Sequence, residues 1–483
     1  MTTETSSSAW AGFEGEILEE ASEGFEDARA LWNGMIETRP ALIVRPARTA
    51  DVAAALRVAR ERGLAVTVRG GGHGVAGSAL SEGGLVVDLR SLRAIEVDDE
   101  ARVARAQGGV TLGELDAATQ AHGLAAPLGV VTKTGIAGLT LSGGIGWLRR
   151  KHGLSLDNLV SLEVVTADGR VVTASETANA DLFWALRGGG GSFGVVTSFE
   201  YRLHPVGPEV MVAFVLYPGN RGAEVLRFVD ELTQSAPEDA APIAFFGRVP
   251  HADPFPAGAH GRPYVAAAVV YAGDPEEGER VTGPLRDLGD AIVDLSGAMP
   301  YVEAQGLLDE DYPDGWRYYW KSVELDELSD DALARLERHA ATAPSHHSTI
   351  DIWFNGGAMD RVAPEATAFG SRPAYLIGIE ANWEEGADDE ANVAWARGAF
   401  ADLRELSSGG AYLNFPGLFE EGDDLLRASY GERNFERLGG LKRTYDPEGS
   451  SLRSGVSAGA ASEATGCRID VHDAIVTASC APH

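Results

Sequence analysis

Short apolar runs and amphipathic stretches alternate along the first part of the chain. Ala41–Val44 predicts a strand, and Thr49 with Asp51 forms an N-cap signal ahead of Val52–Arg62, whose apolar spacing predicts a helix. Leu64–Val68 reads as strand, a glycine-rich turn follows at 70–74, and Gly84–Leu89 reads as the next strand. Strand-like pieces continue at Ala94–Val97, Val103–Ala106 and Leu162–Thr166, with helical pieces at Leu112–His122 and Asp181–Leu186. Residues 1–35 read as an acidic, helical lead-in anchored by Trp10, Phe13, Phe25 and Trp32, and a mixed α/β domain then spans 36–207.

From 208 the pattern changes to long strands separated by long helices. The strand candidates are Val210–Tyr217, Ile243–Val249, Tyr264–Tyr271, Thr349–Phe354 and Tyr375–Trp383. Helices are predicted at Arg221–Ser235, Asp274–Leu295 and Ser329–Thr342. This order predicts an antiparallel sheet covered by helices on one face, over 208–405. Residues 406–447 read as a segment returning to the first domain, with Tyr412–Phe415 followed by a helix ending near Lys442. The fold class is therefore α+β.

Composition narrows the function classes. A length of 483 residues exceeds one ordinary core, so two or three domains are expected. No apolar run approaches the ~18 residues a membrane-spanning helix needs. Met1–Trp10 shows no basic n-region, apolar core or twin arginine, so a cytoplasmic location is expected. The formal charge of −32 argues against nucleic acid and anionic membranes, both of which require a cationic footprint. Lysine is confined to Lys133, Lys151, Lys321 and Lys442; a GC-rich genome and adaptation to high salt both account for that. Cys467 and Cys480 lie at the C-terminal end, which excludes a cysteine-based metal site for the body of the protein. His346 and His347 face opposite ways on an extended chain and lack a third ligand at matching spacing, so no metal site is expected.

Two glycine clusters, Gly72–Gly77 and Gly189–Gly194, match the G-x-G-x-x-G fingerprint of dinucleotide binding. That fingerprint requires a helix after the glycines. Strands follow instead, so the dinucleotide reading is set aside. Glycines still let backbone amides approach an anion without Cβ interference. Val68-Arg69-Gly70-Gly71-Gly72-His73-Gly74 has the composition of a pyrophosphate cradle, or simply of a tight turn. The loop leaves His73 open as ligand, base or attachment point.

The same seven residues resemble the flavin-attachment loop of the vanillyl alcohol oxidase superfamily, in its berberine bridge enzyme-like branch. Thr134–Trp147 resembles that family's second glycine-rich FAD segment, with Gly135, Gly138, Ser142, Gly143, Gly144 and Gly146 at its small-residue positions. His152–Leu159 fits the usual continuation through Asp157 and Asn158, and Asp181–Thr197 fits the third motif through Gly190, Gly191, Phe193, Gly194 and Val195. Tyr430–Pro447 follows the C-terminal pattern, so the similarity runs from about residue 30 to 447. The resemblance implies a two-part FAD-binding domain of the vanillyl alcohol oxidase type, an antiparallel substrate domain, and FAD bound covalently through His73. Gly138–Ile145 and Gly190–Val195 are the candidates for the phosphates and the pyrimidine edge. Some members attach the flavin a second time through a cysteine. Val131 stands at that position here, which implies attachment through His73 only. After Pro447 the family pattern is lost: residues 448–483 form an atypical tail, expected to be disordered or the product of a frameshift.

The resemblance further implies an oxidase that removes a hydride from a small alcohol, sugar, amine or secondary metabolite, with dioxygen as acceptor. A flavin dehydrogenase with another acceptor and a flavin-binding protein without turnover are the alternatives. The base is left among three side chains. Tyr412-Leu413-Asn414-Phe415 lacks the second tyrosine of the family motif, so Tyr412 either supplies a phenolate of depressed pKa or lines the flavin with Asn414. Tyr319 and Lys321, in Arg317–Lys321, are the other candidates, against a reading of that stretch as an amphipathic strand packed in the core.

Overall fold

The apolar runs pair into three larger sheets, described by a computed structural model over residues 9–407, 409–420 and 422–447. The 448–483 tail and both cysteines lie outside the described residues.

The first sheet has the order Glu16–Glu19, Leu42–Arg45, Leu85–Asp88, Val66–Arg69, with the last three strands parallel. Parallel strands need cover on both faces. Leu85 and Val87 pack with Val52, Leu56 and Ala59 of the helix Thr49–Arg62, while Val86 turns the other way onto Phe25, Ala28 and Leu31. Each such side chain contributes roughly 1.5–3 kcal/mol by leaving water. The helix stops at Gly63, whose φ of 65° suits a residue without Cβ. Asp51 does not cap this helix; its carboxylate accepts from the backbone N–H of Ala47 at 3.0 Å and of Glu14 at 3.2 Å.

The second sheet is antiparallel, in the order Ile95–Asp98, Val103–Gln107, Val195–Arg202, Leu159–Val165, Val171–Ser175. Its strand at Val195 starts directly after Gly194, so the Gly189–Gly194 cluster opens a strand and no dinucleotide helix. The helices Asp423–Tyr430 and Glu432–Tyr445 return to this part, where Leu426, Tyr430, Phe435 and Leu438 pack with Phe183, Trp184 and Phe193.

The third sheet runs Val293–Asp294, Glu209–Pro218, Pro263–Tyr271, Ala240–Arg248, Thr349–Phe354, Tyr375–Trp383, Arg317–Leu325, with Gly297–Pro300 paired to the second of these strands. The helices Gly222–Ser235, Asp330–Ala341 and Asp389–Arg404 cover one face, through Val229, Leu336, Ala399 and Leu403 among others. The period of two decides what each face carries. On Arg317–Leu325, Tyr319, Val323 and Leu325 enter the helix-covered core, and Tyr318 and Trp320 point to the opposite face.

Three expectations need revision. Residues 1–35 are not only helical: Glu16–Glu19 forms an edge strand, a state fixed by its partner Leu42–Arg45 rather than by its own sequence. The helix foreseen over Asp274–Leu295 ends at Arg286, because Gly289 and Asp290 take φ of 72° and 55°. Asp389–Arg404, absent from the predicted helices, covers the third sheet. Among the described residues no helix is long and apolar enough to cross a membrane.

Candidate active site

The three glycine segments and the uncovered face of the third sheet enclose a cleft with about 1680 Å³ of non-protein space, open solvent included. Gly70, Gly71, Gly72, His73 and Gly74 line it from the turn after Val66–Arg69. Val131, Thr134, Gly135, Gly138 and Ser142 line it from the second segment, and Gly190 and Gly191 from the third. The backbones at Gly71 and Gly135 cross so closely that a Cβ on either would overlap the other chain. Gly138 has nothing within 4 Å of where its Cβ would stand, and at Gly74 and Gly191 the nearest atom is 4.0 Å away. Side chains at those three positions would fill the cleft, so its glycines keep open a space with backbone walls.

His73 sits at the edge of that space. Its ring stacks on Trp32 with centroids 4.3 Å apart, and Trp32 stacks in turn on Tyr318 at 3.6 Å. Its Nε2 is buried and has no hydrogen-bond partner. Burial pushes its pKa down to about 4, so the imidazole is neutral at physiological pH and keeps a free lone pair.

Other expected residues are held away from the cleft. Arg69 lies beneath the loop, donating from Nη1 to the Ala28 carbonyl at 2.5 Å, with its pKa lowered to about 10 by burial. Asp157 forms a two-pronged ion pair with Arg372 at 2.7 and 2.8 Å. Asn158 donates to the His152 and Leu154 carbonyls and meets His204, so it braces a turn. Gly144 and Gly146 face Ser155 and Leu128, and Gly143, at φ 137°, makes room for the Tyr412 ring. Phe193, Gly194 and Val195 belong to the packed interior under the second sheet. Tyr319 and Lys321 fall on the wrong side of their strand. Tyr319 donates to Glu420, and Lys321 pairs with Glu420 at 3.2 Å beside the Phe400 ring.

Tyr412 does line the cleft, as does Asn414. The phenol oxygen accepts from Gly144 N at 3.0 Å, Ile145 N at 3.3 Å and Asn414 Nδ2 at 2.9 Å. Burial nevertheless raises its pKa, opposite to the depression expected of a base. Its lone pairs are engaged with the second glycine segment, which makes it a brace for that segment.

The side chains that sequence reasoning missed are acidic. Asp351 and Glu380 both line the cleft and are each 2% exposed. They are diagonal neighbours on adjacent strands, since Asp351 pairs with Gly378 and Thr349 with Glu380. Gly378 leaves the space between them open; a Cβ there would stand 3.3 Å from Glu380 Oε1 and 3.4 Å from Asp351 Cβ. Tyr312 donates to Glu380 Oε2 at 2.8 Å, and the Asp351 and Glu380 carboxyls hydrogen-bond to each other. Burial raises Asp351 to about 7, and burial followed by the Asp351 charge raises Glu380 well above the ordinary carboxylate range. The available signal was alternation: Ile350, Ile352, Ile377 and Ile379 point into the core, which puts Asp351 and Glu380 on the other face. Among the described residues no cluster suited to a metal ion occurs, and His347 pairs with Glu384 at 3.2 Å.

This combination, a glycine-walled cleft facing an antiparallel sheet with a neutral histidine at its rim, defines a class of flavoprotein. A family model described as an FAD binding domain matches residues 40–175. The (R)-6-hydroxynicotine oxidase of Paenarthrobacter nicotinovorans is 30% identical over 447 residues, covering 90% of this chain and 94% of its own. The crystal structure of 6-hydroxy-D-nicotine oxidase from Arthrobacter nicotinovorans superposes with a TM-score of 0.80 at 30% identity, covering 91% of this chain and 96% of that one. The glucooligosaccharide oxidase of Acremonium strictum, whose FAD is described as 6-S-cysteinyl, 8α-N1-histidyl, gives 0.81 at 25% identity, with 93% and 98% covered. The BBE-like 1 protein of Physcomitrella patens shares the fold, at 0.83 and 23% identity over 94% of this chain and 98% of its own. The chain belongs to the FAD-linked oxidoreductases of the vanillyl alcohol oxidase superfamily. It is an FAD-dependent oxidoreductase, with the character of an oxidase acting on small substrates.

Proposed function

We propose that this oxidase carries its FAD on His73 by a single covalent bond and reoxidises it with dioxygen. The observation that carries the reading is the orphaned Nε2 of a neutral His73 at the rim of a cleft walled by glycine backbone. Val131 lines the cleft where some relatives place a second attachment cysteine, and among the described residues there is no cysteine. Residues 36–207 with 406–447 form the cofactor half in this reading, and residues 208–405 the substrate half.

FAD, when bound, supplies a two-electron acceptor for the hydride of a substrate C–H bond. The chain's own residues do the rest. Gly70–Gly74, Gly138 and Gly191 would hold the cofactor against backbone, since no side chain stands between them and the cleft. Tyr412 fixes Gly144 and Ile145 beside it. Asp351 takes the proton released from the substrate heteroatom, with Glu380, hydrogen-bonded to it, and Tyr312 holding the pair in place. Trp320, Trp353 and Phe415 line the remaining wall and exclude water.

The test is the visible spectrum of the acid-precipitated protein. Yellow colour stays with the pellet of the wild type and is absent from the pellet of His73→Ala. Colour that washes into the supernatant from the wild type contradicts the covalent bond. Hydrogen peroxide formation in air separates dioxygen from any other acceptor.

A further inference from the structure

The wall of the cleft opposite the glycine segments has an unusual balance of charge. Asp351 and Glu380 stand side by side there, with the carboxyl of Asp311 behind them, itself raised to about 6 by burial. The groups that act most on the pair are each other, Tyr312, Thr349 and Asp311, none of them basic. Arg149, also buried, lies 5.2 Å from the centroid of the Trp353 ring. Its donors are already taken by Asn355 Oδ1 and by the carbonyls of Gly146, Pro242 and Phe354. Lys321 is on the other face of the sheet, paired with Glu420. A buried carboxylate without a counter-charge is costly, and proteins ordinarily pair it. Asp351 and Glu380, hydrogen-bonded to each other and buried in the wall of the cleft, present a shared acidic pair to what enters it.

The rest of that wall is aromatic. Trp320 is cross-strand partner to Glu380, Trp353 follows Asp351 on the same face of its strand, and Tyr312 and Phe415 meet Trp320 edge-on at 5.3 and 5.1 Å. A polyhydroxylated ligand needs many hydrogen-bonding groups, and this wall offers few beyond the two acids. Aromatic faces beside an uncompensated carboxyl pair suit a cation instead.

We propose that the site takes its substrate as an organic cation, an amine in its ammonium form seated between the Asp351–Glu380 pair and the Trp320 and Trp353 rings. This rests on the oxidase reading above and specifies its substrate class. The ammonium supplies the missing counter-charge on entry, and its N–H proton passes to the Asp351 carboxylate. The nitrogen is then uncharged, with its lone pair beside the carbon to be oxidised.

The test is calorimetric titration of the flavin-loaded wild type, at about pH 8, with benzylamine, with its neutral isostere benzyl alcohol, and with cellobiose. Benzylamine, protonated at that pH, is expected to bind at least about tenfold more tightly than benzyl alcohol, with cellobiose weaker than both. In the double variant Asp351→Asn, Glu380→Gln the preference for benzylamine falls to within about twofold. Equal affinities for benzylamine and benzyl alcohol in the wild type, or tighter binding of cellobiose, overturn the proposal without recourse to any variant. The heat of binding is read independently of the flavin. A wild type whose flavin washes out on acid precipitation yet still prefers benzylamine therefore sinks the proposed attachment and leaves the cation site standing.

Discussion

Asp351 shows how one residue couples the site to stability. Its carboxyl is raised from 3.8 to about 7, first by burial, and it faces Glu380, Asp311, Tyr312 and Tyr264 with no basic group among them. The sign follows from linkage: the unfolded chain releases this proton near its ordinary pKa, whereas the folded protein holds it until about 7. Stability from this group is complete below the unfolded value and is lost as pH rises through the folded one. Asp351→Asn has no proton to lose. Its melting temperature should therefore gain on the wild type as pH rises from about 4 to about 8, by something on the order of 5 °C. A constant difference across that range would mean that the carboxyl titrates normally in the fold.

At the scale of elements, the dipeptide Trp32-Asn33 ties the histidine loop to the substrate sheet. Trp32 lies between the His73 and Tyr318 rings and donates from Nε1 to the Tyr312 carbonyl at 3.0 Å. Asn33 donates at 2.8 Å to both Val75 O and Tyr318 O and accepts from Tyr318 N at 3.1 Å. Trp32→Ala removes the surface that orients His73, so the fraction of flavin surviving acid precipitation should fall several-fold, with Trp32→Phe restoring much of it. Unchanged covalent incorporation in Trp32→Ala would leave the stack a packing contact only. The sequence marked Trp32 as an apolar anchor and nothing more, because a stacking partner as distant along the chain as Tyr318 leaves no trace in local spacing. Strands with strong alternation, such as Thr349–Phe354 and Tyr375–Trp383, were legible to the residue. Glu16–Glu19 was not, since an edge strand of that length depends on its neighbour. The glycine segments were read as backbone that can approach an anion; at Gly71 and Gly135 the close approach is between the two segments themselves. The base was sought among phenols and a lysine because the motif drew attention to them. The acids that face the cleft sit in strands whose apolar neighbours look like ordinary core.

For the whole molecule, charge sets a further expectation. The chain has 72 acidic and 40 basic side chains, an excess of 32 negative charges. Many of the bases are already in surface pairs, as at Arg335, which meets Asp331, Asp402 and Glu405 within about 3 Å. Exposed pairs of this kind contribute between nothing and about 1 kcal/mol each, and salt weakens them. The unpaired acids repel one another over longer distances, and salt weakens that too. Raising sodium chloride from about 0.1 to about 1 M shortens the screening length from roughly 10 to roughly 3 Å, which acts most on the longer-range term. Repulsion across the surface is therefore relieved more than contact pairs are lost, and the melting temperature should rise by about 3 °C or more. Sodium chloride is the proper salt, because sulfate stabilises proteins through exclusion from their surface whatever their charge. A fall in melting temperature would show that the contact pairs outweigh the excess. The acidic excess would then confer no stabilisation in salt.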